Sequence, residues 1–120
     1  MGWIGVDLDG TLAEYHGFIA PTTIGPPVRR MVERVQQLLH NGVEVRIFTA
    51  RIDPEGLRKY RERTGDHNAT VEVVKAAIVE WSRAHIGREL LVTDRKDLDL
   101  IRIWDDQAVQ VVRNTGDLIG

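Results

Sequence analysis

The sequence predicts an α/β fold with a parallel sheet of five strands. Short apolar runs alternate with segments of helical periodicity, the pattern of strand–helix–strand crossovers. Carboxylates or a hydroxyl stand at the ends of several of those runs. An open parallel sheet gathers such groups along one rim, where its ligands bind. A chain of 120 residues has the usual size of one domain, so residues 1–120 are read as a single unit.

Trp3 to Val6 is the first strand: short, bulky, apolar and closed by a turn signal around Gly10. Ala13 to Pro27 is punctuated by Gly17, Pro21, Gly25 and Pro26, and reads as loop, with His16 a solvated histidine. Val28 to His40 is an amphipathic helix, its stripe formed by Val28, Met31, Val32, Val35, Leu38 and Leu39. Pro27 suits its first turn, Gly42 its stop, and His40 its C-terminal dipole. Val43 to Phe48 is the second strand. Asp53-Pro54 has the form of an N-cap and first-turn proline, opening a charged helix that Gly65 to Asn68 ends. From Val71 a clearer helix carries Val74, Ile78, Trp81 and His85 on one face, predicting core packing for both rings. Gly87 stops it. Leu90 to Val92, Leu100 to Trp104 and Ala108 to Val112 follow as strands three to five, and the tail after Arg113 is expected to fray.

Composition excludes several classes. With 42% hydrophobic and 28% charged residues and a net charge of −2, nothing predicts general attraction to nucleic acid or membranes. The absence of cysteine rules out disulfides and zinc–thiolate sites. No apolar run reaches membrane-spanning length, and the chain opens directly on a charged motif without a signal-peptide pattern, so the expected location is cytoplasmic.

The chemistry-bearing residues are Asp7 and Asp9 after the first strand, Thr49-Ala50-Arg51 after the second, Lys96 in the loop before the fourth and Asp105-Asp106 behind it. Gly10 allows a tight bend whose amides are the raw material of a phosphate-binding nest. Asp7, Asp105 and Asp106 on one rim would repel by roughly 4 kcal/mol per pair at about 4 Å and an effective dielectric near 20. A hard divalent cation relieves that conflict, and Mg²⁺ is the best match because it takes one or two carboxylates, waters and a substrate phosphate. A lysine nearby can neutralise a transferring phosphoryl group.

Asp7-Leu8-Asp9-Gly10-Thr11, Phe48-Thr49-Ala50-Arg51, Lys96 and Trp104-Asp105-Asp106 together resemble the four motifs of the haloacid-dehalogenase-like phosphohydrolase superfamily. The resemblance implies a three-layer Rossmann-like sandwich. Members of that family insert a flap and sometimes a cap domain after this point, and the fifteen residues after Leu12 are enough for a flap but too few for a cap. The resemblance makes Asp7 a nucleophile that becomes an aspartyl phosphate. Asp9 protonates the leaving group and then activates water, its backbone carbonyl helping to bind Mg²⁺. Thr49 and Lys96 hold phosphoryl oxygens, with further phosphate contacts expected from Gly10, Thr11, Ala50 and Arg51, although an exposed helix-capping or surface role is as good a reading for Arg51. Asp105 is the more direct metal ligand, and Asp106 binds through water or orients Asp105. One departure is that Lys96 sits in Arg95-Lys96-Asp97 without a following proline, which leaves Arg95 as an alternative for the basic role.

The implied activity is Mg²⁺-dependent hydrolysis of a phosphomonoester. Its partner is a phosphorylated substrate, nucleic acid entering only as such a substrate. A phosphate- or metal-binding module without turnover is the alternative from a different class, motivated by the missing cap. A phosphoacceptor receiver domain ranks last, because the acidic pair comes too late in the chain. Oligomeric state is not read from the sequence.

Overall fold

The computed structural model describes residues 2–119. Its main sheet holds β1 (Trp3–Asp7), β2 (Glu44–Phe48), β3 (Val92–Thr93) and β4 (Leu100–Trp104). All four are parallel, in the spatial order β3-β2-β1-β4. Between them lie α1 (Arg29–His40), α2 (Pro54–Thr64) and α3 (Val71–His85). This is a Rossmann-like α/β arrangement, and register aligns its strand ends. Asp7 lies opposite Phe48, Val6 opposite Trp104, and Phe48 opposite Thr93, so all four strands release their carboxyl ends on one rim.

The helices form where the sequence predicts, for the predicted reasons. Val32 and Val35 of α1 are buried, and Met31, Leu38 and Leu39 pack against the same core. The helix starts at Arg29 with Val28 as N-cap, one residue later than expected, because the Val28 amide donates to Leu12 O at 2.7 Å. Asp53 caps α2 by accepting the Gly56 amide, and Gly65 closes it in the left-handed conformation. Thr70 caps α3. The expected packing fails at His85, which is exposed and lies with its ring 4.8 Å from that of Trp81. Trp81 is buried, and its indole donates to Gly25 O.

Two expectations about the sheet are corrected. It has four strands: Gln110–Val111 (β5) pairs antiparallel with Leu118–Ile119 (β6) in a separate hairpin. Parallel addition beside β4 needs a crossover of about a dozen residues or more, and the few residues after Trp104 cannot supply it. The tail therefore does not fray but turns through Asn114 and Gly116, both at positive φ, and pairs back.

The three-layer expectation fails as well. The sheet residues in the core cluster, Val6, Val45, Ile47 and Val92, with Ile4 and Trp104 packed against it, share one face, and α1, α2 and α3 all contribute to that cluster. Successive right-handed crossovers from β1 to β2 to β3 move the same way and so stay on that side. The return from β3 to β4 contains no helix. On the opposite face Trp3 is buried by local contacts. Its indole donates to Asp97 at 2.7 Å, and the Arg46 guanidinium lies 4.5 Å over its ring.

No helix among the described residues is long and apolar enough to cross a membrane. The third strand is shifted from Leu90–Val92 to Val92–Thr93, with Leu91 contributing only its carbonyl, to the Ile47 amide.

Candidate active site

At the rim where the strands end, β1 delivers Asp7 and the chain leaving β4 delivers Asp105 and Asp106. Oxygens of these three carboxylates lie within 4.8 Å of one another. Thr11 ties the two ends of the sequence together. Its hydroxyl lies 3.4 Å from Asp7 Oδ2 and 3.2 Å from Asp106 Oδ1, and accepts the Asp106 amide at 3.1 Å. Thr11 is buried, so the residue expected to touch phosphate instead braces the acidic cluster. Asp105 is fixed by accepting the Gln107 amide at 2.9 Å.

Burial, the hydrogen-bonded Asp106 side chain and the charges of Asp105, Asp106 and Asp9 push the Asp7 carboxyl up to about 7. All of these influences act in one direction, and no cation among the described residues opposes them. The repulsion expected from the sequence is thus built into the fold, and the donor set, three carboxylates without a counter-ion, has the chemistry of a site for a hard divalent cation.

Asp9 stands apart from that cluster. Both its oxygens are taken by Arg51, at 2.7 Å from Nε and 3.0 Å from Nη2. The remaining guanidinium nitrogen, Nη1, donates to the carbonyls of Ala20 and Pro21 at 2.9 and 2.8 Å. Arg51 is therefore a buried staple joining Asp9 to the Ala13–Pro27 segment; four of its five N–H donors are used in this way, and the residue also lines the cavity beside Asp7. That segment is tied down further by Trp81 at Gly25 and by the Glu14 amide on Pro26 O.

Thr49 is buried at the end of β2, its amide donating to Thr93 O and its Oγ1 accepting the Arg51 amide at 3.1 Å. The hydroxyl hydrogen remains available to a ligand. A cavity of about 330 Å³ brings Asp7, Asp9, Thr49, Ala50 and Asp106 together. The expected nest at Gly10 is closed: the amides of Gly10 and Thr11 donate to Ala13 O and Leu8 O.

Lys96 does not join this group. It is exposed, outside the cavity, beside Asp97, whose partners Trp3 and Arg46 belong to the amino-terminal part of the sheet. Arg95 does not line the cavity either. His16 is exposed and meets only Glu14.

Tyr15, Phe18 and Gln107 line the cavity without having been singled out in the sequence. Aromatics in a glycine- and proline-rich loop are the one signal that could have marked the first two. Compared with protein-family models, curated proteins and solved structures, the chain matches none.

Proposed function

We propose that the protein is a Mg²⁺-dependent phosphomonoester hydrolase that works through an aspartyl phosphate on Asp7. The observation that supports this reading is the convergence of Asp7, Asp105 and Asp106, with oxygens within 4.8 Å, beside the Thr49 hydroxyl at a single sheet rim. Mg²⁺ held by these carboxylates supplies the positive charge that lets an ionised Asp7 and a phosphoryl group approach each other.

An Asp7 oxygen attacks phosphorus in line, and the bond from phosphorus to the leaving oxygen breaks as Asp9 gives that oxygen a proton. Thr49 donates its hydroxyl hydrogen to a phosphoryl oxygen. In the second half Asp9 takes a proton from water, whose oxygen attacks phosphorus, and phosphate departs as Asp7 is restored. Asp9 must leave at least one of its Arg51 bonds to do this. Replacing Asp7 by Asn and following an aryl phosphate with Mg²⁺ tests the route: turnover falls by roughly a thousandfold or more. Undiminished turnover removes the covalent mechanism.

Two observations favour a second reading, a metal- or phosphate-binding module that does not turn over. Asp9 is locked by Arg51, and among the described residues no lysine lines the cavity. Mg²⁺ binding without hydrolysis of any of a panel of phosphorylated metabolites and nucleic-acid ends decides for that module.

A further inference from the structure

A second cavity, of about 470 Å³, adjoins the acidic one and shares Phe18, Ala50 and Arg51 with it. Its size is that of a small-molecule site. Phe18, from the Ala13–Pro27 segment, meets Tyr60 of α2 edge-on with centroids 6.0 Å apart, and Leu57 lies among the lining residues. Phe18 is nonetheless 50% exposed, with the Arg51 guanidinium 5.5 Å from its ring centroid, and presents aromatic surface at the mouth.

The charges of α2 are segregated around this cavity. Arg58 is neutralised by Glu55 and Glu62. Lys59 and Arg63, one turn apart, line the cavity and form no salt bridge among the described residues, although Lys59 lies near enough to Glu55 to stabilise its charge and the Arg63 guanidinium stands 5.6 Å over the Tyr60 ring. Like charges at that spacing repel on a helix, so the pair is at its best beside an anion. The apolar wall adjoins the acidic pocket but does not contain Asp7 or Thr49, so a ring seated there needs a spacer to reach a phosphate at Asp7.

We propose, building on the phosphomonoesterase reading, that this cavity is the leaving-group subsite. It takes a planar aromatic base whose sugar carries one phosphate to Asp7 and a second to Lys59 and Arg63. That is the chemistry of a nucleoside bisphosphate or of a phosphorylated nucleic-acid end. The aromatic wall selects the base by stacking, and the two cations select the extra phosphate.

Equilibrium titration of the full chain with a nucleoside 3′,5′-bisphosphate in Mg²⁺ tests this separately from catalysis. Lys59→Ala with Arg63→Ala weakens binding by roughly tenfold or more, and Phe18→Ala weakens it too. Arg58→Ala, on the same helix with its charge already paired, leaves affinity unchanged. Tighter binding of a short 3′-phosphorylated oligonucleotide, falling steeply with salt, identifies a nucleic-acid end, whereas equal affinity identifies the free nucleotide. Equal affinity of wild type and the Lys59/Arg63 double variant overturns the subsite, as does tighter binding of an acidic phosphotyrosine peptide than of either nucleotide probe. Loss of binding in the double variant together with no turnover by wild type would keep the subsite and sink only the hydrolase reading.

Discussion

Gly10 has no room for a side chain because the Asp106 carboxylate occupies its place: a Cβ there would lie 2.5 Å from Asp106 Oδ2. Its φ of +85° adds a second constraint, since side chains are strained in that conformation. Gly10→Ala therefore displaces Asp106 or distorts the turn that carries Asp9. A loss of about 1–3 kcal/mol of stability is expected, with weakened Mg²⁺ binding. Denaturant unfolding and metal titration of the variant measure both. An unchanged metal affinity would show that Asp106 is not held where the cation binds.

The raised Asp7 pKa makes stability depend on pH in a defined direction. The folded protein holds a proton on Asp7 up to about 7, above its ordinary value of 3.8. This contribution is full below about pH 4 and is lost as pH rises through about 7. With a chelator present, the melting temperature should fall between about pH 5 and pH 8. Mg²⁺ replaces the proton, so its stabilising effect grows over the same interval. Asp7→Asn removes the repulsion, and at pH 8 without metal it should melt higher than wild type, by about 3–6 °C for each kcal/mol relieved. Thermal scans of both proteins across pH check the sign.

Arg51 reads in the sequence as a phosphate ligand or a surface residue, and the structure makes it a staple. Its side chain is only 6% exposed, and all three guanidinium nitrogens are committed. Arg51→Lys cannot reproduce a fork to Asp9 and two carbonyl contacts together. The variant should lose about 2–4 kcal/mol and open the Ala13–Pro27 segment to proteolysis. Limited proteolysis beside thermal melting distinguishes this from a loss confined to catalysis.

Lys96 separates family resemblance from geometry. The resemblance implies a large loss of turnover on replacement. An exposed lysine outside the cavity implies little, within about twofold in kcat/KM for Lys96→Ala. Steady-state kinetics of this single variant decide whether the loop before β4 reaches the site during turnover.

What was legible in the sequence was local or periodic. The stripe of α1, the Asp53 cap and β4 are properties of neighbouring residues and survive in the structure. Asp7, Asp105 and Asp106 converge as expected because a parallel sheet collects its strand ends, so order along the chain was enough to place them. The fifth strand was misplaced because apolar alternation marks a strand without naming its partner. The length of the link after Trp104 does exclude a parallel neighbour. Pairings such as Arg51 with Asp9 and Thr11 with Asp106 were not legible. They depend on how far a loop folds back, and no spacing in the sequence encodes that distance.

The hydrolase reading requires one divalent cation among Asp7, Asp105 and Asp106. Crystals grown with Mn²⁺ in place of Mg²⁺ test it through anomalous scattering. A single peak at about 2.0–2.2 Å from oxygens of Asp7 and Asp105, with Asp106 in direct or water-mediated contact, is the expected result. No peak at this rim, or one on carboxylates elsewhere in the molecule, would rule out a metal centre formed by these three residues.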